Sequence, residues 1–415
     1  MSDITFTEGQ QDAYEAFQKF ILSATENVWV LKGYAGTGKS TLVEHILEFI
    51  PKLQKLYKII NPKAENEWEV RLTATTNKAA EALSQITGHT VQTIHSALGL
   101  RVNKNFKTGK TNLVVRHGVD PLQDTILFVD EASYADNTLL DLIFKQTVNC
   151  KIVLIGDPAQ LLTVGCKTSP VFSGKYPTSA LTEVVRQAKG NPIIDLATSF
   201  RGTVNTGEFF SFVPDGTNIQ YLDRDAFEAE ILKEFNDPTW THNRSKVLAW
   251  TNATVISYNR AIRDHVKGAP EFSEGDYAVC NSYVANKQGG IKTDQLVLIT
   301  HIGSEVDHHG LYGHWFTLDN RHEAFMPTSL DDKKALQKKA KKADNLGLLQ
   351  AIDSWIDLRA AYACTAHKSQ GSTYETVFID LDDFAKCNSG DALARMLYVS
   401  VSRAKERVIF TGDLV

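Results

Sequence analysis

Long apolar runs are missing from this sequence. No hydrophobic stretch approaches the roughly 20 residues that a helix needs to cross a bilayer. The opening segment MSDITFTEGQ has neither the basic nor the apolar part of an export signal, so the expected compartment is the cytoplasm and no membrane partner is expected. Cysteine is sparse: Cys150, Cys166, Cys280, Cys364 and Cys387 stand far apart, with no Cys-x-x-Cys and no paired histidine to suggest zinc. They read as reduced, mostly buried thiols rather than a disulfide framework. An excess of positive charge is also lacking, since 44 Lys and Arg against 49 Asp and Glu leave a formal charge of −5. Binding to nucleic acid must therefore be local rather than global. No repeat at solenoid periods, no low-complexity tract and no nuclease-like metal cluster occurs, so strand cleavage is not expected.

What is present is enough apolar residue, 43% of 415, to bury two to four ordinary cores. Short β-branched runs at 28–32, 70–75, 125–129 and 151–155 alternate with helical periodicity at 39–50, 77–86 and 138–146. This alternation predicts a parallel sheet covered by helices. The rhythm lapses over 188–215 and resumes with strand candidates at 246–250, 376–381 and 407–412, which suggests two nucleotide-fold halves, the second without a glycine-rich loop. Residues 101–119 read as a β-hairpin around a Lys-Thr-Gly-Lys turn, and 276–330 as a small all-β insertion followed by an exposed lysine-rich helix.

Between the first strand and the first long helix lies GYAGTGKS, Gly33 to Ser40. Its glycines let backbone N–H groups approach phosphate, Lys39 reaches the β- and γ-phosphates, and the Ser40 hydroxyl suits Mg²⁺. A carboxylate is needed beside that metal, and TILFVDEAS supplies Asp130 where a buried strand ends, with Glu131 next to it to polarise water. A second water-activating acid points to hydrolysis of ATP rather than small-molecule phosphorylation. Gln160 of VLIGDPAQLLTV ends a similar strand and is placed to touch the γ-phosphate or the water. Arg186 of LTEVVRQ and Arg403 of LYVSVSRAK are candidate arginine fingers, a surface ion pair being the other role open to each.

Taken in order, FTEGQ, GYAGTGKS, TATTNKAA, TIHSALG, VDEAS, GDPAQL, LTEVVRQ, AWTN, TAHKSQGST and LYVSVSRAK resemble the motifs of superfamily 1B helicases, the 5′-to-3′ branch that includes RecD- and Dda-like enzymes. The motifs run from about residue 6 to residue 407. The resemblance implies an α/β fold of two RecA-like P-loop lobes with parallel sheets, a β-hairpin insertion in the first and a small SH3-like all-β insertion in the second. The first lobe would comprise 1–98 and 120–187, the hairpin 99–119, the second lobe 188–275 and 360–415, and the SH3-like insertion with its basic helix 276–359.

The same resemblance implies ATP and Mg²⁺ as cofactors. Gln10 would read adenine, while Gly36, Thr37, Gly38, Lys39, Ser40 and Thr41 would cradle the phosphates, and Gln370 would couple the γ-phosphate to the nucleic acid. Backbone contacts to single-stranded DNA would come from Thr75, Thr76 and Lys78, from Thr93 and His95, from Thr251 and Asn252, and from Thr365, His367, Lys368 and Ser369. Hydroxyl, amide and short basic groups hold phosphates without reading bases; for any one Thr or Asn, a helix N-cap is the alternative. Three positions depart from the branch's pattern: Asn77 replaces a histidine, Ala366 an aromatic, and Tyr34 a proline, the last expected to alter only the stiffness of the loop.

Phe106, beside the hairpin turn, would stack on an end base pair of a tailed duplex or else pack under its own hairpin. Six lysines within 333–342 would neutralise phosphates or simply face solvent. The implied function is that of a single-stranded DNA translocase and 5′-to-3′ helicase in replication or recombination, acting as a monomer, with a single-strand-binding protein as a candidate partner. An RNA-directed helicase and a nucleotide-switched loading factor that does not unwind are the alternatives.

Overall fold

The computed structural model describes residues 6–60, 67–104, 111–162, 168–185, 190–269, 271–284 and 290–414. A six-stranded sheet forms the first lobe, in the order Thr178–Leu181, Val28–Gly33, Lys151–Gly156, Thr125–Asp130, Glu69–Ala74, Val91–Thr93, with every neighbouring pair parallel. Strand alternation sorts its side chains between two cores. Trp29, Leu31, Phe128 and Val153 meet the helices Glu8–Leu22 and Lys39–Ile60 on one face, while Val30, Leu127, Val129 and Leu154 meet Asn137–Lys145 on the other.

The second lobe is a five-stranded parallel sheet ordered Ile219–Tyr221, Ala404–Thr411, Tyr374–Asp380, Ser245–Ala249, Ala363–Thr365. The lapse expected over 188–215 is corrected here, because Pro192–Thr206 is a helix. Asn191 caps it, Pro192 occupies its first turn, and Ile193, Leu196 and Phe200 bury one face. The helix expected to end near residue 50 also runs on to Ile60 through Pro51. Leu53 is buried beyond the proline, and Tyr57 packs on Trp68 with ring centroids 4.3 Å apart. That apolar continuation outweighs the one backbone bond a proline removes.

Leu100–Lys104 and Thr111–Val115 pair antiparallel as the hairpin arms. Between the second lobe's strands, Tyr277–Cys280, Leu296–Ile302, Val306–His308, Leu311–Leu318 and His322–Pro327 form an antiparallel all-β unit. The chain leaves it through the helices Leu330–Lys342 and Leu346–Asp353 and a strand, Leu358–Ala360, that returns to Tyr277–Cys280. The lysine-rich helix buries only Ala340, with Leu336 at its packed edge.

Candidate active site

The phosphate loop starts where the strand Val28–Gly33 ends, and its turn needs left-handed backbone at Gly36 (φ 80°) and Gly38 (φ 77°). A Cβ at Gly38 would also collide with the amide of Gln10. Lys39 folds back over the loop, its Nζ donating to Gly33 O at 2.7 Å and Tyr34 O at 2.9 Å. Gln10 serves two elements. Its Oε1 accepts from Thr7 N in a capping box, and its Nε2 donates to Thr37 O at 3.2 Å, tying the first helix to the loop.

Asp130 and Glu131 stand half-buried at the end of Thr125–Asp130, and Glu131 holds a left-handed backbone at φ 51°. A non-glycine residue there stores strain, which is common where a side chain must be aimed. The Glu131 N–H donates to Asp130 Oδ1 at 2.8 Å. Loss of solvent and the Asp130 charge push the Glu131 carboxyl up to about 7, against the pull of Lys39 and Arg403, while Asp157 adds to the rise. Burial likewise raises the Asp130 and Asp157 carboxyls. Three acids therefore face two cations, and Arg403 comes from the opposite lobe, just past the helix Gly390–Val401. The Arg403 guanidinium is held by Val399 O, Ser372 O and Ser402 Oγ.

Magnesium fits this donor set. Among the described residues no three His, Cys, Asp or Glu side chains gather into a metal cage. Mg²⁺ does not require one, since it is commonly held by one or two protein oxygens together with phosphate and water. The Ser40 hydroxyl and the Asp130 carboxylate are oxygens of that hard type.

The expected site residues fall into three groups. Gln10, Gly36, Thr37, Gly38, Lys39, Ser40 and Thr41 line the loop and the helix that follows it. Gln160 and Gln370 meet across the lobes, Gln370 Nε2 donating to Gln160 Oε1 at 3.2 Å. Arg186 and Phe106 lie outside the described residues.

The nucleic-acid candidates lie on both lobes. Thr76, Thr93 and Thr251 cap the helices Asn77–Thr87, Ile94–Ala97 and Asn252–Lys267. Thr75 Oγ1 donates to Glu131 O at 3.0 Å, so this threonine touches the peptide of Glu131. Lys78 Nζ donates to Lys368 O at 2.8 Å, and Asn252 accepts from Arg359. Lys368 reaches Asn281 at 2.6 Å and Asp294 at 2.8 Å in the all-β unit. Thr365 Oγ1 accepts from Lys368 N, whereas Ser369 is fully buried and donates to Ala366 O. Burial lowers the pKa of His95 and of His367.

A small cavity of about 50 Å³ joins several of these groups: Lys78, Asn252, Thr365 and Lys368 line it together with Arg359 and the buried Lys246. Asn77 donates to Thr293 O, and Ala366 is fully buried in the second lobe's core.

Four side chains of this site, Arg201, Arg395, Tyr398 and Asp157, escaped the sequence reading. Tyr34 does more than stiffen the loop, because the Arg201 guanidinium of the second lobe lies 4.0 Å from its ring centroid. Arg395 donates to Pro158 O and Gln160 O, and the Tyr398 hydroxyl joins Asp157 to the loop. The motifs GDPAQL and LYVSVSRAK contained Asp157 and Tyr398, but nothing in either motif says that they meet.

The comparisons with known proteins agree in direction. Residues 5–217 match the AAA domain family, and residues 360–411 match the UvrD-like helicase C-terminal domain. The ATP-dependent DNA helicase dda of Enterobacteria phage T4 is 29% identical over 276 residues, spanning 63% of this chain and 57% of that protein. The ATP-dependent RecD2 DNA helicase of Deinococcus radiodurans is 33% identical over 170 residues, 40% of this chain and 21% of that one. A Bacteroides Pif1 helicase solved with ADP-AlF3 and single-stranded DNA shares the fold, with a TM-score of 0.52 at 16% identity over 100% of this chain and 94% of that one.

Proposed function

We propose that the chain, which belongs to the AAA domain family over residues 5–217, is an ATP-hydrolysing helicase of the superfamily 1, 5′-to-3′ branch that walks on single-stranded DNA and opens tailed duplexes in replication or recombination. One observation carries the proposal: Asp130, Glu131, Asp157 and Lys39 of one lobe face Arg403 of the other across a single cleft.

In the proposed step a water adds to the γ-phosphorus, the bond to the β–γ bridging oxygen breaks, and Glu131 takes the water's proton. ADP and phosphate result. Gln160 orients the water, and Lys39, Arg403 and Arg186 balance charge on the transferring group. Gln10 holds the adenine side, and the loop amides from Gly36 to Thr41 hold the phosphates. Ser40 and Asp130 are the residues for Mg²⁺, which when bound neutralises charge developing on the phosphates. Since the ends of the site belong to different lobes, ATP favours closure and hydrolysis relaxes it.

The proposed strand path follows the helix N-termini capped by Thr76, Thr93 and Thr251 and the polar groups Thr75, Lys78, His95, Asn252, Thr365, His367 and Lys368, with Ser369 bracing the last turn. Free N–H groups at helix starts suit phosphate without regard to sequence. Gln370, bonded to Gln160, would report the nucleotide to this path. Phe106, outside the described residues, is proposed as the wedge. Action as a monomer, and docking of a single-strand-binding protein on the all-β unit, complete the reading.

Unwinding of matched duplexes carrying a 5′ or a 3′ single-stranded tail, with Mg²⁺-ATP and excess trap strand, tests it. Only the 5′-tailed substrate should open. Opening of the 3′-tailed substrate alone would overturn the polarity, and no opening with nucleic-acid-stimulated hydrolysis would favour a loading factor.

A further inference from the structure

Two loops of the first lobe are packed into the core of the second. Ala159 and Leu161, just after the strand Lys151–Gly156, lie buried among Leu397 and Tyr398, and Tyr34 and Ala35 of the phosphate loop pack against the same cluster. One hydroxyl links both loops. Tyr398, 2% exposed on the helix Gly390–Val401, donates to Asp157 Oδ2 at 2.6 Å and accepts from Ala35 N at 2.9 Å. Arg395, one turn earlier, anchors the Asp157–Gln160 segment through Pro158 O and Gln160 O.

The Ala35 N–H belongs to the same peptide unit as the Tyr34 C=O, and that unit is planar and trans. Its two edges point opposite ways. The N–H meets Tyr398, and the C=O meets Lys39 Nζ at 2.9 Å and Thr37 Oγ1 at 2.9 Å. A tilt of the plane at one edge is therefore a displacement at the other.

We propose that Tyr398 is a positioning residue for ATP hydrolysis, acting through this peptide so that movement of the second lobe re-aims Lys39 and carries Asp157 with it. The inference rests on the ATPase reading above and adds a route by which that reading's two lobes communicate. A tyrosine suits the task because its ring is fixed by burial in the cluster, which leaves only the hydroxyl's two bonds to transmit the motion.

Tyr398→Phe keeps the ring and removes both bonds. The variant is expected to bind ADP within twofold of the wild-type chain. It should bind ADP with aluminium fluoride, a mimic of the transferring phosphoryl group, about tenfold more weakly, the loss that one hydrogen bond of ordinary strength produces. Asp157→Asn in the same background should add little, since both changes break one chain of bonds. Equal affinities for both ligands, an equal fall in both, or an additive double variant would overturn the proposal. ATP turnover by the wild-type chain with a single-stranded oligonucleotide is read alongside. Its absence would sink the ATPase reading, whereas the ratio of affinities reports on Tyr398 alone.

Discussion

Both lobes end a central strand in a run of acids, and the two runs are treated in opposite ways. Asp130 and Glu131 have few partners, Asp157 past the neighbouring strand takes Tyr398 and Ala159, and burial raises all three carboxyls. In the second lobe, Asp380 ends the strand Tyr374–Asp380, Asp383 follows it, and both are saturated. Asp380 takes Arg224 at 3.0 Å through both oxygens and Tyr258 at 2.7 Å. Asp383 is 1% exposed and accepts from Trp250 N, Thr251 N and the hydroxyls of Thr251 and Thr254, with Lys386 at 2.9 Å. Burial pushes Asp383 up, but Lys386 and the Thr251 and Thr254 bonds outweigh it and leave its pKa low. One fold thus uses the same position for two purposes: an acid left short of partners is available for proton transfer, and an acid given every partner becomes a fastener.

Exchanging the charge at the first site should produce the largest effect. Glu131→Gln keeps the shape and the strained backbone while removing the proposed proton acceptor. ATP hydrolysis should fall by about 10²–10⁴, the usual contribution of a positioned base. Binding of a fluorescent ATP analogue should persist. A phosphate-release assay with single-stranded DNA beside an equilibrium titration checks both, and an unchanged rate would assign the base elsewhere.

The fastener should fail differently. Asp383→Ala takes the acceptor from four donors at the start of the helix Asn252–Lys267, and the half-buried N–H groups of Trp250 and Thr251 are left without a partner. The expected cost is about 2–4 kcal/mol of stability, seen as a lowered urea midpoint, with nucleotide affinity almost unchanged. Loss of binding for single-stranded DNA should accompany it, because Thr251, which Asp383 holds, and Asn252 beside it lie on the proposed strand path. A variant as stable as the wild type would erase the contrast between the two acid runs.

How much of this was legible follows from range along the chain. The phosphate loop, Asp130 and Glu131 lie within or beside continuous strand–turn–helix patterns, and hydrophobic periodicity located the strands around them to within a residue or two. The helix Pro192–Thr206 was hidden because Gly202, Thr203, Asn205 and Thr206, weak helix formers, crowd its last turns, and Ala363–Thr365 is too short for alternation to show. The Tyr398–Asp157 bond spans 241 positions, and the stacking of Arg201 on Tyr34 likewise joins two lobes. Local pattern records which residues share a face, but a cleft between two sheets is made by pairs that no local pattern contains.

The smallest expected effect, and the sharpest test of the contrast, is its dependence on pH. Glu131 in the folded chain holds its proton up to about 7 against an ordinary value of 4.5, because burial and Asp130 disfavour its charge. Between those two values the folded state binds more protons than the unfolded one, so stability falls as pH rises through this window. The proposed hydrolysis needs the same carboxylate charged, so the rate should climb over the upper part of the window. Asp383 has the opposite sign: its folded pKa lies below the ordinary 3.8, so its stabilisation is fully present above 3.8 and is lost only as pH falls through the lower value. Urea midpoints at pH 5, 6, 7 and 8 should therefore show Glu131→Gln gaining on the wild type by about 1–2 kcal/mol toward pH 8, while the deficit of Asp383→Ala stays level. A gap for Glu131→Gln that does not widen with pH would mean that its carboxylate is no harder to ionise in the fold than out of it, and the acid run of the first lobe would then be as well satisfied as that of the second.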